Sequence, residues 1–240
     1  MSTPEFPLPA TLYGDHADYG LWLWRDLVLR QQQWQHFEHL PAAFLAEESS
    51  AIKISSLKRG LDILIAGTFL ILLSPLMLLL AALIVLDSPG PAFFRHTRIG
   101  RNGVPFELWK LRSMHIHAPR YEPSPVTAVD ARITRVGRLI RRISLDEIPQ
   151  LFNVLRGDMS LVGPRPEMPF IVDTYTALER SRLTATPGIT GLWQISSARA
   201  YPIHQNLQYD LYYIRHANFL LDLAILARTA AAVVRGVGAV

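Results

Sequence analysis

Residues 63–86 read ILIAGTFLILLSPLMLLLAALIVL, an uncharged apolar run bracketed by Asp62 and Asp87 and interrupted by Ser74-Pro75. As a straight helix the run would extend about 36 Å, enough to cross a hydrocarbon core of about 30 Å. Pro75 removes one backbone donor and crowds the carbonyl of the preceding turn, so a kink or break is expected there. Lys53, Lys58 and Arg59 precede the run, and Arg95, Arg98 and Arg101 follow it. Positive residues favour the cytoplasmic side of a membrane, and here they stand on both flanks. A kinked span would leave one basic cluster on the opposing side. A helix that enters, turns at Ser-Pro and exits by the same face would not. The expectation is a membrane re-entrant helix-break-helix; a kinked span and a buried soluble core helix are the two other readings.

The chain has 240 residues, 50% hydrophobic and 18% charged, which fits a globular domain with one membrane element better than a polytopic transporter. Residues 219–234 are apolar too, but Asp222 and Arg228 interrupt them, so an amphipathic core or interfacial helix is expected there. Met1 to Gly20 show neither the basic start nor the apolar core of a signal peptide. With no cysteine, disulfides and thiol chemistry are excluded, in keeping with a cytoplasmic location. The net charge of +4 hides an uneven distribution: residues 95–142 hold eleven Lys or Arg against Glu107, Glu122 and Asp130. That block follows the apolar run directly, so anionic lipid headgroups are its nearest partners. Nucleic acid is disfavoured because the block lacks interleaved aromatics.

Three regions follow: an N-terminal extension (1–52) with a loose start and an amphipathic helix near Leu21 to Leu40, the re-entrant element (53–91), and a catalytic domain (92–240). The fold class is α+β, mainly helical, with a compact cytoplasmic domain containing a short β-hairpin. The hairpin is expected from Ala92 to Ile99 and Val104 to Arg112 around Gly100-Arg101-Asn102-Gly103. Ile133, Val136, Ile140 and Ile143 recur at helical spacing, and a second helix is expected from near Asp146 to Leu155, stopped by Gly157.

Arg141-Arg142-Ile-Ser-Leu-Asp146-Glu147-Ile-Pro149 is the most informative polar stretch. A helix tolerates Pro only in its first turn, which places Asp146 and Glu147 at a helix N-terminus where amides and dipole favour a phosphate. Ser144 and Glu147 equally fit a capping box, a purely structural reading. Gly163-Pro164-Arg165-Pro166 holds an arginine between two rigid prolines, which suits phosphate binding or a simple loop. Lys110 is the only lysine after Lys58. His115 and His117 lack a third ligand nearby, so metal binding by them is disfavoured. Pro187-Gly188 should turn into a short extended segment.

Together with SPGPAFF, RIG, FELWKLRSM, the run RITRVGRLIRRISLDEIPQLFNVLRGDMSLVGPRPE, PGITGLWQ and YDLYYI, these stretches resemble the bacterial sugar transferases, monotopic polyprenyl-phosphate phosphoglycosyl transferases, in their small form. The resemblance covers about residues 58 to 230. It implies transfer of a sugar 1-phosphate from a nucleotide-diphosphate sugar to a polyprenyl phosphate, with release of nucleoside monophosphate, as the first step of polysaccharide or glycoconjugate assembly at the inner membrane. By similarity Asp146 is the nucleophile, forming an aspartyl-phosphosugar intermediate. Glu147 would hold Mg²⁺, and Lys110, Arg141 and Arg165 would meet the phosphates. The chemistry is coherent, because a carboxylate approaching a diphosphate needs its repulsion neutralised. Ser196-Ser197-Ala198-Arg199 and Arg215-His216-Ala217-Asn218 depart from the family pattern in regions connected with substrate choice, which leaves the sugar open. KLRSM stands where KFRTM is common. The other readings are a basic membrane-surface binding protein with a degenerate active site, and a glycosyltransferase that moves the sugar without its phosphate. A homo-oligomer is left open.

Overall fold

The computed structural model describes residues 56–119, 125, 130–196, 199 and 206–234. The expected helix near Leu21 to Leu40 lies outside them. In chain order the elements are α1 (Ser56–Asp87), β1 (Phe93–Ile99), β2 (Pro105–Leu111), α2 (Arg135–Arg142), α3 (Gln150–Arg156), β3 (Ser160–Val162), α4 (Pro169–Val172), α5 (Ala177–Arg180), β4 (Gly188–Thr190), α6 (Leu192–Ile195), α7 (Leu207–His216) and α8 (Phe219–Val234). Short 3₁₀ turns occupy Arg101–Gly103, Leu145–Glu147 and Ser181–Thr184.

The apolar run forms α1, which stays helical through Ser74-Pro75 over its 32 residues, with Pro75 inside it. Pro75 deprives the Ile71 carbonyl of its backbone donor, and the Ser74 hydroxyl donates to that same carbonyl at 2.8 Å. The serine beside the proline thus repairs the gap that the proline opens. One stripe of α1, formed by Asp62, Ala66, Leu70, Met77, Leu80 and Ile84, is buried against the rest of the chain. The remaining surface is bare hydrocarbon, with Ile71 75% and Leu86 83% exposed. A core helix of a soluble protein would be covered all round, so the buried-core reading does not hold.

Both ends of α1 are bonded to the same folded unit. At its start, Lys58 Nζ pairs with Asp222 of α8 at 2.6 Å. The Arg59 guanidinium donates to the Val154 and Leu155 carbonyls at 2.6 and 2.9 Å, satisfying the C-terminal end of α3. Asp62 accepts from the Ser160 hydroxyl at 2.7 Å and from the Leu161 amide at 3.1 Å. At its far end, buried Arg112 donates to the carbonyls of Ile84, Ser88, Pro89 and Gly90. A cation is favourable there because those carbonyls carry the negative end of the helix dipole. Asp87 accepts from the Val136 amide at 2.9 Å, in the first turn of α2.

The hairpin forms where the Gly-Arg-Asn-Gly turn predicts it, with β1 and β2 antiparallel from Phe93↔Leu111 to Ile99↔Pro105. Asn102 and Gly103 turn the chain with φ of 56° and 78°. Fully buried Asn153 of α3 saturates the open edge of β2: its Oδ1 accepts from the Trp109 amide at 3.0 Å and its Nδ2 donates to the Glu107 carbonyl at 2.7 Å. A second sheet, unforeseen in the sequence, pairs β3 with β4 in parallel. It requires two facing glycines, since a Cβ on Gly188 would lie 2.0 Å from the Gly163 amide nitrogen.

α2 falls inside the helix expected around Ile133 to Ile143, with Thr134 accepting from the Gly137 amide as its N-cap. The next helix differs from expectation. Ser144 takes a left-handed conformation (φ 57°), Leu145–Glu147 form a 3₁₀ turn, and the α-helix begins only after Pro149. Gly157 ends it as expected, with φ 95°. α8 matches the amphipathic helix read at 219–234, burying Leu221, Ala224 and Ile225 and exposing Phe219.

Candidate active site

The left-handed turn at Ser144 decides where the two acids point. Ser144 makes no side-chain cap, so the Ser144–Glu147 capping box is not formed; the box that does form is Thr176 with Glu179 at α5. Released from capping, Glu147 Oε1 accepts from Lys110 Nζ at 2.7 Å and from Arg165 Nη2 at 3.2 Å. Its other oxygen takes no hydrogen bond among the described residues. Asp146 is 5% exposed, and no described side chain donates to it.

Four segments converge to make this arrangement. β2 delivers Lys110, held in register by Asn153 on the helix that starts just after Glu147. The last turn of α2 carries Arg141, whose charge acts on the Asp146 carboxyl. The Gly163–Pro166 loop delivers Arg165 as the chain leaves β3. All five residues singled out in the sequence, Lys110, Arg141, Asp146, Glu147 and Arg165, therefore share one site. His115 and His117 do not belong to it; both are exposed in a turn after the hairpin.

The two neighbouring carboxyls are driven apart. Burial pushes Asp146 above its ordinary value; Lys110 and Arg141 oppose that, and the Glu147 charge adds to it. Glu147 suffers desolvation as well, but Lys110 and Arg165 outweigh it and hold its carboxyl well below the usual range. Glu147 in turn raises the Arg165 guanidinium. The result is one firmly ionised carboxylate locked to two cations, beside a buried carboxylate to which no described side chain donates.

Several residues here escaped the sequence reading. Arg182 is almost fully buried, and its Nη2 donates to the Arg165 carbonyl at 2.7 Å. Its other partners are Asp210 of α7 and the Tyr175 hydroxyl, the latter at 2.6 Å. Arg98 and Glu167 flank the Arg165 loop; Glu167 adjoins the Pro-Arg-Pro motif, a signal that could have found it. Arg182 and Asp210 carry no such local signal. Among the described residues no three His, Asp or Glu side chains converge into a metal cage. Mg²⁺ rarely needs one, since it is commonly held by one or two carboxylates with substrate phosphates and water. The unbonded oxygen of Glu147 and the Asp146 carboxylate fit that donor pattern.

Residues 53–236 match the bacterial sugar transferase family. The chain is similar to a UDP-glucose:undecaprenyl-phosphate glucose-1-phosphate transferase of Caulobacter vibrioides, 44% identical over 180 residues, covering 72% of this chain and 67% of that protein. It is similar to the exopolysaccharide production protein ExoY of Sinorhizobium fredii, 38% identical over 209 residues, covering 80% and 92% respectively. An undecaprenyl-phosphate galactose phosphotransferase of Salmonella typhimurium is 40% identical over 210 residues, covering 81% of this chain and 43% of its own length.

Proposed function

Because the chain belongs to the bacterial sugar transferase family, we propose that it transfers a sugar 1-phosphate from a uridine diphosphate sugar to a polyprenyl phosphate and releases uridine monophosphate. The observation that carries this reading is the acid pair: a buried carboxylate that no described side chain donates to, next to one neutralised by Lys110 and Arg165. The first is suited to attack phosphorus, and the second belongs to a frame that tolerates phosphate charge.

In the first step an Asp146 carboxylate oxygen forms a bond to the β-phosphorus of the donor. The bond from that phosphorus to the bridging oxygen breaks, and its electron pair leaves with the monophosphate. In the second step a phosphate oxygen of the polyprenyl acceptor attacks the same phosphorus and returns the carboxylate to Asp146. Lys110, Arg141 and Arg165 offset the charge that makes both approaches repulsive. Burial keeps the Asp146 carboxylate poorly solvated, which raises its basicity and favours attack once the phosphate is in place. Glu147, with Asp146, would hold Mg²⁺, which when bound supplies further neutralisation of phosphate oxygens.

The acceptor's phosphate lies at the headgroup level of a membrane, which is where α1 would bring the site. Because Lys58 to Asp62 and Ile84 to Gly90 bond to one folded unit, a helix that returns to the face it entered by is favoured over a span. The basic flanks favour that face being cytoplasmic.

The test is a reaction without acceptor. Protein mixed with donor and Mg²⁺ should release monophosphate in a burst stoichiometric with enzyme and gain the mass of one phosphosugar. Added polyprenyl phosphate should discharge the adduct. Release of nucleoside diphosphate would show direct sugar transfer, and no release at all would show a surface-binding protein.

A further inference from the structure

α2 is short and one-sided. Gly137 and Ile140 are buried on its inner face, and a Cβ on Gly137 would lie 1.9 Å from the Ser113 carbonyl oxygen. The helix is thus pressed onto the chain that leaves β2, which fixes its outer face as well. Arg135, Arg138, Leu139 and Arg142 stand on that outer face at the spacing of one helical stripe, and all four are exposed. Leu139 is 60% exposed, with arginines a turn before and a turn after it.

Such a face suits water poorly. Arg135 and Arg138 are like charges three residues apart, and Arg138 and Arg142 four apart, spacings at which helix side chains repel. Arg135 also puts a cation in the first turn, where the helix dipole ordinarily favours an acid. α2 itself carries no acidic residue, so the stripe lacks the alternating charges that make a solvated helix self-sufficient.

Its place in the fold shows what it does suit. The first turn of α2 is bonded to Asp87, the last residue of α1. Leu86, just before it, is 83% exposed. Ile116, itself exposed, reaches the chain just past α1, since a Cβ on Gly90 would lie 3.0 Å from its Cδ1. The stripe therefore starts where the bare hydrocarbon of α1 ends. In a bilayer that depth holds the lipid phosphates and the upper acyl chains. Guanidiniums pair with phosphate oxygens two at a time, and a leucine between their apolar stems meets acyl chains.

We infer that the outer face of α2 docks on anionic phospholipid headgroups, with Arg135, Arg138 and Arg142 on the phosphates and Leu139 between acyl chains. The inference goes beyond the proposed reaction and rests on α1 lying in a bilayer. Arg141, on the same short helix, is half-buried, so a contact on the outer face orients the helix that carries this residue of the site.

The test reads α2 directly. The chain has no cysteine, so Leu139→Cys in the full chain gives a single site for a fluorophore. The labelled chain is placed in nanodiscs of phosphatidylcholine, with or without a phosphatidylglycerol share of about a third, and quenched from water by acrylamide. Anionic discs should cut the quenching about three- to tenfold relative to neutral ones, and about 1 M salt should restore it. Adding Arg135→Gln, Arg138→Gln and Arg142→Gln should abolish the difference between the discs. Equal quenching in both discs would overturn the inference, and so would a difference that survives the three arginine changes. Shielding already complete in an uncharged detergent would assign the face to a second copy or another part of the chain. The same drop produced by uridine monophosphate in neutral discs would assign it to free phosphate. Either result overturns the lipid contact. If the arginine variant fails to fold, the two discs and the salt dependence still decide with the labelled chain alone. A label at Ile71→Cys, on the bare side of α1, separates the two possible failures. Quenching there by brominated acyl chains, without the expected shielding at position 139, loses only this inference; no quenching there loses the membrane placement of α1 as well.

Discussion

Arg182 holds the backbone of Arg165, and the guanidinium of Arg165 holds Glu147, so the two ion clusters of this protein are joined through one residue. They are finished to different degrees. In the Arg182 cluster every charge is answered. Both side chains of the Arg182–Asp210 pair are 2% exposed, and Arg182 also reaches the Tyr175 hydroxyl and the Arg165 carbonyl. Burial loosens the hold of Arg182 on its proton, and Asp210, Tyr175 and Glu167 together more than restore it. In the Glu147 cluster two cations share one carboxylate oxygen, and among the described residues no side chain donates to Asp146 beside it. A completed network fixes a geometry, and an incomplete one keeps capacity for a ligand. The first serves as the rigid mount for the second.

The largest effect that separates them is expected from Asp146→Asn. Loss of the anionic nucleophile should lower kcat by about a million-fold, read as multiple-turnover monophosphate release. Stability should move the other way. A carboxyl whose folded pKa is raised favours the folded state fully below its unfolded pKa, and this is lost as pH rises through the folded value. At neutral pH the ionised group is therefore a burden, and Asp146→Asn should melt at the same temperature as wild type or higher. A fall in melting temperature would mean that Asp146 belongs with the completed cluster.

Asp210→Ala should do the reverse. Stripping Arg182 of its buried partner should cost about 3–5 kcal/mol, a large share of a typical stability of about 5–15 kcal/mol, seen in denaturant melts. An apolar replacement of both partners, Arg182→Met with Asp210→Leu, should recover much of that stability. It should not recover kcat, because the Arg165 carbonyl loses its donor. If kcat returns too, the mount is dispensable.

Glu147→Gln should lower kcat/KM by about a hundred- to a thousandfold and raise the Mg²⁺ needed for half-maximal rate. Since the folded pKa of Glu147 is depressed, its contribution to stability is present above its ordinary value of 4.5 and is lost as pH falls through the folded value. Acid melts of Glu147→Gln should lack that loss. The smallest effect is expected for Tyr175→Phe, about 1–2 kcal/mol of stability for one unmet donor of Arg182, with turnover within a few-fold of wild type.

How much of this could be read from the chain differs between the clusters for a physical reason. Asp146 and Glu147 are adjacent, and Arg165 is framed by prolines, so the incomplete cluster announces itself in short motifs. Arg182 and Asp210 meet across 28 residues of separation with nothing local to mark either. The hairpin was legible because its turn residues demand positive φ, and the extended segment expected at Pro187-Gly188 is β4, whereas β3 is too short to show a period and its pairing with β4 has no local mark. At Ser144 the capping-box pattern misled, because the chain there is left-handed and turns the hydroxyl away from that role. At Pro75 the rule about the missing donor was sound, and the neighbouring serine supplied what the rule could not see.

The ties at the two ends of α1 mean that the apolar helix is no detachable anchor. Arg112, which caps it, lies two residues beyond Lys110, just past the end of β2. Arg59 holds the end of the helix that follows Glu147, and Asp62 holds the strand that leads into Arg165. Each of the three charged partners is thus braced, within a few residues, by the lipid-facing element. Excising residues 56–87 to obtain a water-soluble enzyme would unbuckle all three braces at once. A newly made chain likewise gains all three braces only when this helix is seated against the folded unit.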